Sequence, residues 1–474
     1  VPEPLWTFLD IAQTLRTPVP EATLAIATGV SIDTRTLKPG DLFVAIKGER
    51  TDGHAYLAQA AAAGASAAIV EHGAAVPAEA KHLPVFAVED TLEALNALAR
   101  AARARTAARV IGVTGSVGKT GTKEMLRLIL SASRKAHVSE KSYNNLWGVP
   151  LSLARMPRET AFAAFEMGMN HANEIRPLTK LVRPHVAIIT TVAPVHIEFF
   201  DSVEGIADAK AEIMEGVEPG GAAVLPADNE HYGRLTDHAR KLGVEVIPFG
   251  AEPRSASRLL HVGSGEHGID ARAVILGRDI RFTLPVPGAH LALNAVAALT
   301  AAALAGADLE GGAHALAAFE APEGRGKRAV FETGAGPVLL IDETYNANPA
   351  SMRAALHVLG STPAPYARKI AVLGDMLELG HGGPRYHAEL AAAVEGNGID
   401  LVFCAGPLMQ HLFEALPAAK RGDWQSSADA LEPHVAAAIT GGDAVMIKGS
   451  LGMKMGALAA SLAARLKESH GRPS

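Results

Sequence analysis

Short apolar runs alternate with longer stretches of helical character along most of this chain. Leu42-Phe43-Val44-Ala45-Ile46, Ala67-Ala68-Ile69-Val70 and Val85-Phe86-Ala87-Val88 read as buried strands, with a helix over 56–63 that Gly64 ends. Strands alternating with helices indicate βαβ units. A helix over 91–108 follows, carrying Arg100, Arg103 and Arg105 and running into Arg109. It reads as a basic patch or as a solvated connecting helix, and the negative total charge favours the second.

A second series starts at Arg109-Val110-Ile111-Gly112-Val113. It continues through Phe162-Ala163-Ala164-Phe165-Glu166, Val186-Ala187-Ile188-Ile189-Thr190 and Ala222-Ala223-Val224-Leu225. Continuous apolar runs of this length fit strands buried on both faces of a parallel sheet. Residues 244–249 and 280–284 suggest antiparallel strands around a polar loop, and 291–305 an alanine-rich helix. A third series begins after the Gly/Arg-rich stretch 322–328, with strands at 338–342, 369–373 and 444–447. The pattern predicts an α/β chain with three domains in series, over 1–106, 107–322 and 323–474.

Composition changes this picture little. A chain of 474 residues is too long for one core. The net charge of −6 argues against a nucleic-acid surface. The single cysteine, Cys404, sits in an apolar run, reads as a buried strand residue and permits no disulfide within the chain. Val1-Pro2-Glu3-Pro4-Leu5-Trp6 lacks a signal-peptide pattern. No apolar run reaches the roughly 18–20 residues that span a bilayer. A cytoplasmic monomer, with neither membrane nor nucleic acid as partner, is the expectation.

Chemistry enters at Gly112-Val113-Thr114-Gly115-Ser116-Val117-Gly118-Lys119-Thr120-Gly121, between a strand and a helix. Glycines there let backbone N–H groups approach phosphate oxygens at a helix N-terminus. Lys119 would neutralise phosphate charge, and the Thr120 hydroxyl would bind Mg²⁺. The generic phosphate-loop spacing is missed by one position, because Val113 stands where its first glycine belongs. Glu166 ends a strand at the carboxyl edge of the sheet, where open α/β folds bind ligands, and His196 follows another strand to the same edge. Lys210 by spacing is an ordinary helix lysine. Asp342, Gly374-Asp375 and Lys448-Gly449-Ser450 are polar ends of three strands in the last series, which suggests a ligand-facing rim. Asp342 either meets a ribose or caps a turn, and Asn348-Pro349 starts a helix.

Together these segments resemble the Mur ligase family of peptidoglycan synthesis over nearly the whole chain. Its off-spaced phosphate loop, Asn144-Asn145 with Gly148-Val149-Pro150, Glu166-Met167-Gly168, His196, Lys210, His290 and Asn294 follow in the family's order. Asp33-Thr34-Arg35, Tyr345-Asn346-Ala347-Asn348-Pro349 and Gly374-Asp375-Met376-Leu377-Glu378-Leu379-Gly380 look like the branch that adds D-alanyl-D-alanine. No Asp-Asn-Pro-Arg motif is present, which argues against the branch that adds the third residue. Val117, Gly121 and Leu451 depart from residues common in the family, and Leu451 leaves the dipeptide contacts open.

The resemblance implies an ATP-binding, P-loop central domain between an N-terminal α/β domain and a Rossmann-like C-terminal one. It implies ATP and Mg²⁺ as cofactors. Residues 115–121 would hold the nucleotide phosphates, with Asn294 on adenine and Asp342 on ribose. Thr120, Glu166, His196 and an N6-carboxylated Lys210 would organise magnesium, with Lys119, Lys210 and His196 catalytic. Thr34 and Arg35 would hold the uridine nucleotide, Asn144 and Asn145 the muramoyl part, and Asn346 and Asn348 the substrate side of the last domain. The implied reaction activates the carboxylate of UDP-N-acetylmuramoyl-tripeptide as an acyl phosphate and joins it to D-alanyl-D-alanine. A third-residue-adding or folylpolyglutamate-like ligase is the alternative, and a non-catalytic nucleotide switch is a reading from another class.

Overall fold

The computed structural model describes residues 4–20, 25–48, 51–265 and 268–469. Val1–Glu3 of the opening segment therefore lie outside the described residues. The chain is α/β, with three large sheets following one another in sequence. The first has four parallel strands in chain order, Gly29–Ser31, Asp41–Val44, Ala67–Glu71 and Val85–Val88. Gly64 closes the helix Leu57–Ala62 in the left-handed region (φ +85°), where a Cβ would crowd Pro39.

The central sheet has nine strands. Its order is Arg278–Leu284, Gly268–Ile275, Ser257–Gly265, Glu245–Gly250, Ala222–Pro226, Val186–Ile189, Arg109–Thr114, Phe162–Glu166 and Ala136–Val138. Glu245–Gly250 corrects the expectation of an antiparallel strand at 244–249. It pairs parallel with Ala222–Pro226, because the helix Tyr232–Leu242 makes the crossover between them. The antiparallel meander begins one strand later, where Ser257–Gly265, Gly268–Ile275 and Arg278–Leu284 pair in turn. The helix Ala289–Leu304 buries most of its length against these strands, and alanine is what allows so close a fit. The third sheet runs Lys327–Thr333, Gly336–Glu343, Asp443–Lys448, Arg368–Gly374, Leu401–Ala405 and Arg421–Gln425. All its pairs are parallel except the first, a hairpin. Cys404 is buried in it.

The helix Thr91–Ala104 is not the solvated connector expected. Leu95, Leu98, Ala99 and Ala102 are buried, joining the cores of the first two sheets. Arg103, only 5% exposed, donates from Nε to the Val182 carbonyl (2.8 Å) and from Nη2 to that of Arg183 (2.9 Å). The Arg105 guanidinium lies 3.7 Å over the Trp6 ring, and burial lowers its pKa to about 10. Trp6 in turn donates from Nε1 to the Ala154 carbonyl (2.8 Å). Arginines placed by helical spacing thus serve as interdomain ties. Among the described residues no helix is long and apolar enough to cross a membrane.

Candidate active site

The central site grows from the middle of its sheet. The strand Arg109–Thr114 runs straight into the loop Gly115–Gly118 and the helix Lys119–Ser133. Gly115 (φ +148°) and Gly118 (φ +91°) hold backbone that other residues avoid. The loop is stitched to the next crossing, after Val186–Ile189. Ser116 N donates to the Thr191 carbonyl (2.8 Å), Ser116 Oγ to that of Ala193 (2.9 Å), and Thr190 Oγ1 to that of Val117 (2.5 Å). A rigid loop of this kind presents its N–H groups without an ordering cost when an anion arrives.

Around the loop the predicted residues converge. Lys119 Nζ donates to the Gly115 carbonyl (2.7 Å). Burial lowers its pKa and the nearby Arg325 adds to this, while Glu166 opposes both. Glu166 is fully buried: Oε2 accepts from the Thr120 hydroxyl (2.9 Å) and Oε1 from Asn144 Nδ2 (2.8 Å). Lys210, 3% exposed on the helix Val203–Ala211, has no carboxylate within salt-bridge distance among the described residues. Burial, followed by the charge of Lys119, holds its pKa well below that of an ordinary lysine. His196, in the left-handed region, pairs through Nδ1 with Glu378 Oε2 of the third sheet's domain. Burial depresses its pKa against the opposing pull of Glu378, with Lys119 and Lys210 adding to the depression.

Lys119, Asn144, Glu166, His196 and Glu378 border a cleft of about 690 Å³ walled by the central and third domains, with Thr120 and Lys210 outside its lining. Asn294, His290 and the loop Ser116–Lys119 line one side, and Glu343, Asn346, Asn348, Lys448 and Ser450 the other. Asn294 lies so close over Gly118 that a Cβ there would sit 2.7 Å from its Nδ2. Gly121 also lines the cleft.

Other predicted residues are placed differently. Asp342 does not line the cleft; its Oδ1 accepts from Thr344 N (3.1 Å) and Thr344 Oγ1 (2.6 Å), which is the turn-capping role. Asp375 turns away from the rim to cap the helix Met409–Ala415 through the N–H groups of Leu408 and Met409. Asn145 similarly caps its own loop, accepting from Gly148 N (2.9 Å). Asn348 caps Pro349–Gly360 by accepting from Ser351 N (2.9 Å). Asn346 accepts from Ala347 N through its side chain, and its carbonyl accepts from Lys448 Nζ (2.9 Å). Thr34 and Arg35 stand apart on the first domain, where Arg35 is paired with Asp33 (2.6 Å) and exposed.

Two site residues were missed. Arg325 lies 3.8 Å over the Tyr345 ring, lines the cleft and acts on Lys119. Its setting, Gly324-Arg325-Gly326, read only as a domain junction, although two glycines around one arginine are a signal that the backbone is bent to aim it. Glu378 was part of a motif without a role.

Family models match along most of the chain. Residues 27–103 match the Mur ligase family catalytic domain, 113–302 the Mur ligase middle domain, and 327–451 the Mur ligase glutamate ligase domain. The chain belongs to the Mur ligase family. It is 34% identical, over 92% of its own length and 93% of the relative's, to the UDP-N-acetylmuramoyl-tripeptide–D-alanyl-D-alanine ligase of Bacillus subtilis. Among solved structures it is similar to MurF from Acinetobacter baumannii, with a TM-score of 0.83, 30% identity and 98% and 99% of the two chains covered. It is also similar to MurF ligase from Thermotoga maritima in complex with ADP, with a TM-score of 0.76, 26% identity and 93% and 98% covered.

Proposed function

We propose that this chain is an ATP-dependent ligase that joins D-alanyl-D-alanine to UDP-N-acetylmuramoyl-tripeptide. The observation that carries the reading is the convergence of Lys119, Glu166 and His196 on one interdomain cleft, with Thr120 bonded to Glu166 and the buried Lys210 acting on Lys119 and His196 behind them, in a chain whose relatives bear that name over nearly their full length.

The chemical problem is a peptide carboxylate, which cannot expel oxide when an amine attacks. Transfer of the γ-phosphoryl group to the carboxylate makes an acyl phosphate with a good leaving group. The amine of the dipeptide then attacks the carbonyl, and phosphate leaves from the tetrahedral intermediate. In this reading the loop amides and Lys119 hold the nucleotide phosphates, while Arg325 supplies a second cation beside Lys119. Asn294, against Gly118, contacts adenine. Asp342 caps its turn through Oδ1 alone, which leaves Oδ2 to accept from a ribose hydroxyl.

The donor set fits magnesium. The buried Glu166 carboxylate and the Thr120 hydroxyl offer adjoining hard oxygens, with His196 on the same side of the cleft. When bound there, magnesium offsets the charge that develops on the transferring phosphoryl group. A buried lysine whose charge is disfavoured is a free amine able to add carbon dioxide and lose a proton. Lys210 then becomes a carbamate, an anion placed where Lys119 now repels a cation.

Residues 1–106 would hold the nucleotide sugar through Thr34 and Arg35, with Asn144 and Asn145 near its muramoyl part. Residues 107–322 would hold ATP, and 323–474 the dipeptide, with Asn346 and Asn348 on that wall. The enzyme acts as a cytoplasmic monomer, with neither membrane nor nucleic acid as partner. The test is phosphate release measured with each substrate omitted in turn. Release that requires both tripeptide precursor and D-alanyl-D-alanine is expected; release with neither would overturn the assignment.

A further inference from the structure

The contact between His196 and Glu378 bridges the central and third domains and joins residues 182 apart in sequence. His196 belongs to the loop after Val186–Ile189 of the central sheet, and Glu378 to the loop after Arg368–Gly374 of the third. Both residues sit in the left-handed region, at φ +57° and +62°. Two non-glycine residues in this region, facing each other, are a local cost accepted by both loops. The backbone adds a second link, with Glu198 N donating to the Glu378 carbonyl (3.3 Å). Gly380 is left-handed as well, and a Cβ on it would meet Glu198 at 3.4 Å.

The Glu378 loop is itself anchored to the wall that faces the cleft. Leu377 N donates to Ser450 Oγ (2.9 Å), and Ser450 N to the Asp375 carbonyl (3.1 Å). Ser450 follows the strand Asp443–Lys448, whose Lys448 is held by Glu343 and the Asn346 carbonyl. Ser450, Leu377, Glu378 and His196 therefore form one connected path from the third domain to the group beside Lys119 and Lys210.

We infer that Glu378 is a positioning residue of the third domain: its carboxylate accepts the Nδ1 proton of His196, fixing that imidazole's tautomer and orientation, so the central site is complete only with the third domain docked. The inference rests on the ligase reading. An imidazole that donates from Nδ1 carries its lone pair on Nε2, the opposite of the form an unconstrained neutral histidine prefers. A carboxylate behind a histidine is a common means of fixing which nitrogen remains available to a ligand, and removing it costs about 10–100-fold in affinity or activity. Here the carboxylate comes from another domain, so domain docking and assembly of the site become a single event.

Two measurements test this. In protein labelled with ¹⁵N-histidine, free of nucleotide and metal, the His196 signal is identified by its loss in His196→Ala. It should report a proton on Nδ1 in the wild type and on Nε2 in Glu378→Ala. In phosphate-release assays Glu378→Ala should lower kcat by about 10–100-fold. Its KM for the nucleotide-sugar substrate, held by the first domain, should change less than about threefold. Glu378→Gln keeps an acceptor for Nδ1–H and should retain more activity than the alanine variant. In a His196→Ala background Glu378→Ala should cost less than about twofold more. Equal losses in both backgrounds, or an Nε2-protonated His196 in the wild type, overturn the inference. A wild type that releases phosphate without either co-substrate overturns the ligase reading and leaves the tautomer measurement standing as a separate test.

Discussion

Alanine introduced at Gly118 and at Gly121 should move the protein in opposite directions, though the sites are three residues apart. Gly118 precedes the helix at φ +91°, and a residue with a Cβ there costs about 1–2 kcal/mol. Its Cβ would also stand 2.7 Å from Asn294 Nδ2 and 3.0 Å from Oδ1. Turning the amide off its rotamer adds about 0.5–1.5 kcal/mol. Gly118→Ala should therefore lose roughly 1.5–3.5 kcal/mol of stability. Gly121 lies within the helix Lys119–Ser133, and a Cβ there meets nothing within 4 Å. Gly121→Ala should gain about 0.5–1 kcal/mol by reducing the freedom of the unfolded chain. Nucleotide binding separates the two further. Displacing Asn294 and the loop amide from their places should weaken ADP about tenfold or more in Gly118→Ala, since about 1.4 kcal/mol is tenfold. Gly121→Ala should bind as the wild type does. Urea unfolding and calorimetric titration with ADP measure both quantities. A Gly118→Ala protein with wild-type midpoint and ADP affinity would refute the reasoning about the loop.

Four further outcomes are expected. Lys210→Ala should abolish ligation and regain part of it with added short carboxylic acids; no rescue would count against the carbamate. Arg103→Ala leaves the Val182 and Arg183 carbonyls without a donor and should cost about 1–3 kcal/mol in unfolding experiments, with kcat unchanged because the site lies elsewhere. Burial lowers the pKa of His137 to about 4, below the 6.5 of an open histidine. Between those values the unfolded chain binds more protons, so stability is retained above pH 6.5 and lost as pH falls toward 4. His137→Asn should flatten that acid limb, and an unchanged slope would contradict the assignment. Cys404, buried with its thiol pKa pushed far up, should react with thiol reagents only on unfolding; rapid labelling of the native protein would contradict its placement.

Strands buried on both faces were legible because their apolar runs are continuous: Arg109–Thr114, Phe162–Glu166 and Asp443–Lys448 all stand where the pattern put them. The strands Ser257–Gly265 and Lys327–Thr333 were not read, since polar residues interrupt both. Whether Glu245–Gly250 ran parallel was decided by its neighbours, not by its own residues. The same holds at the site. Asp342, Asp375 and Glu166 are all acids at strand ends, and sequence alone cannot separate a cap from a ligand. The N–H and hydroxyl of Thr344 take one oxygen of Asp342, two N–H groups take both oxygens of Asp375, and a buried hydroxyl and an amide take those of Glu166. Spacing alone left Lys210 an ordinary helix lysine; the resemblance singled it out, and its burial, with no acid in salt-bridge distance among the described residues, supplies the physical reason. Arg325 and Glu378 depend on contacts between distant segments, for which no local spacing exists.

The order of strands in the central sheet also bears on how the chain is made. Arg109–Thr114 lies between Phe162–Glu166 and Val186–Ile189, both of which are synthesised after it. The strand that leads into the phosphate loop thus leaves the ribosome with two open edges and an apolar sequence. Exposed edges of this kind pair readily with other chains. The strand most needed for chemistry therefore stays open until residue 189 has been made. A nascent chain stalled before residue 189 should be a better client for holding chaperones than one released beyond it.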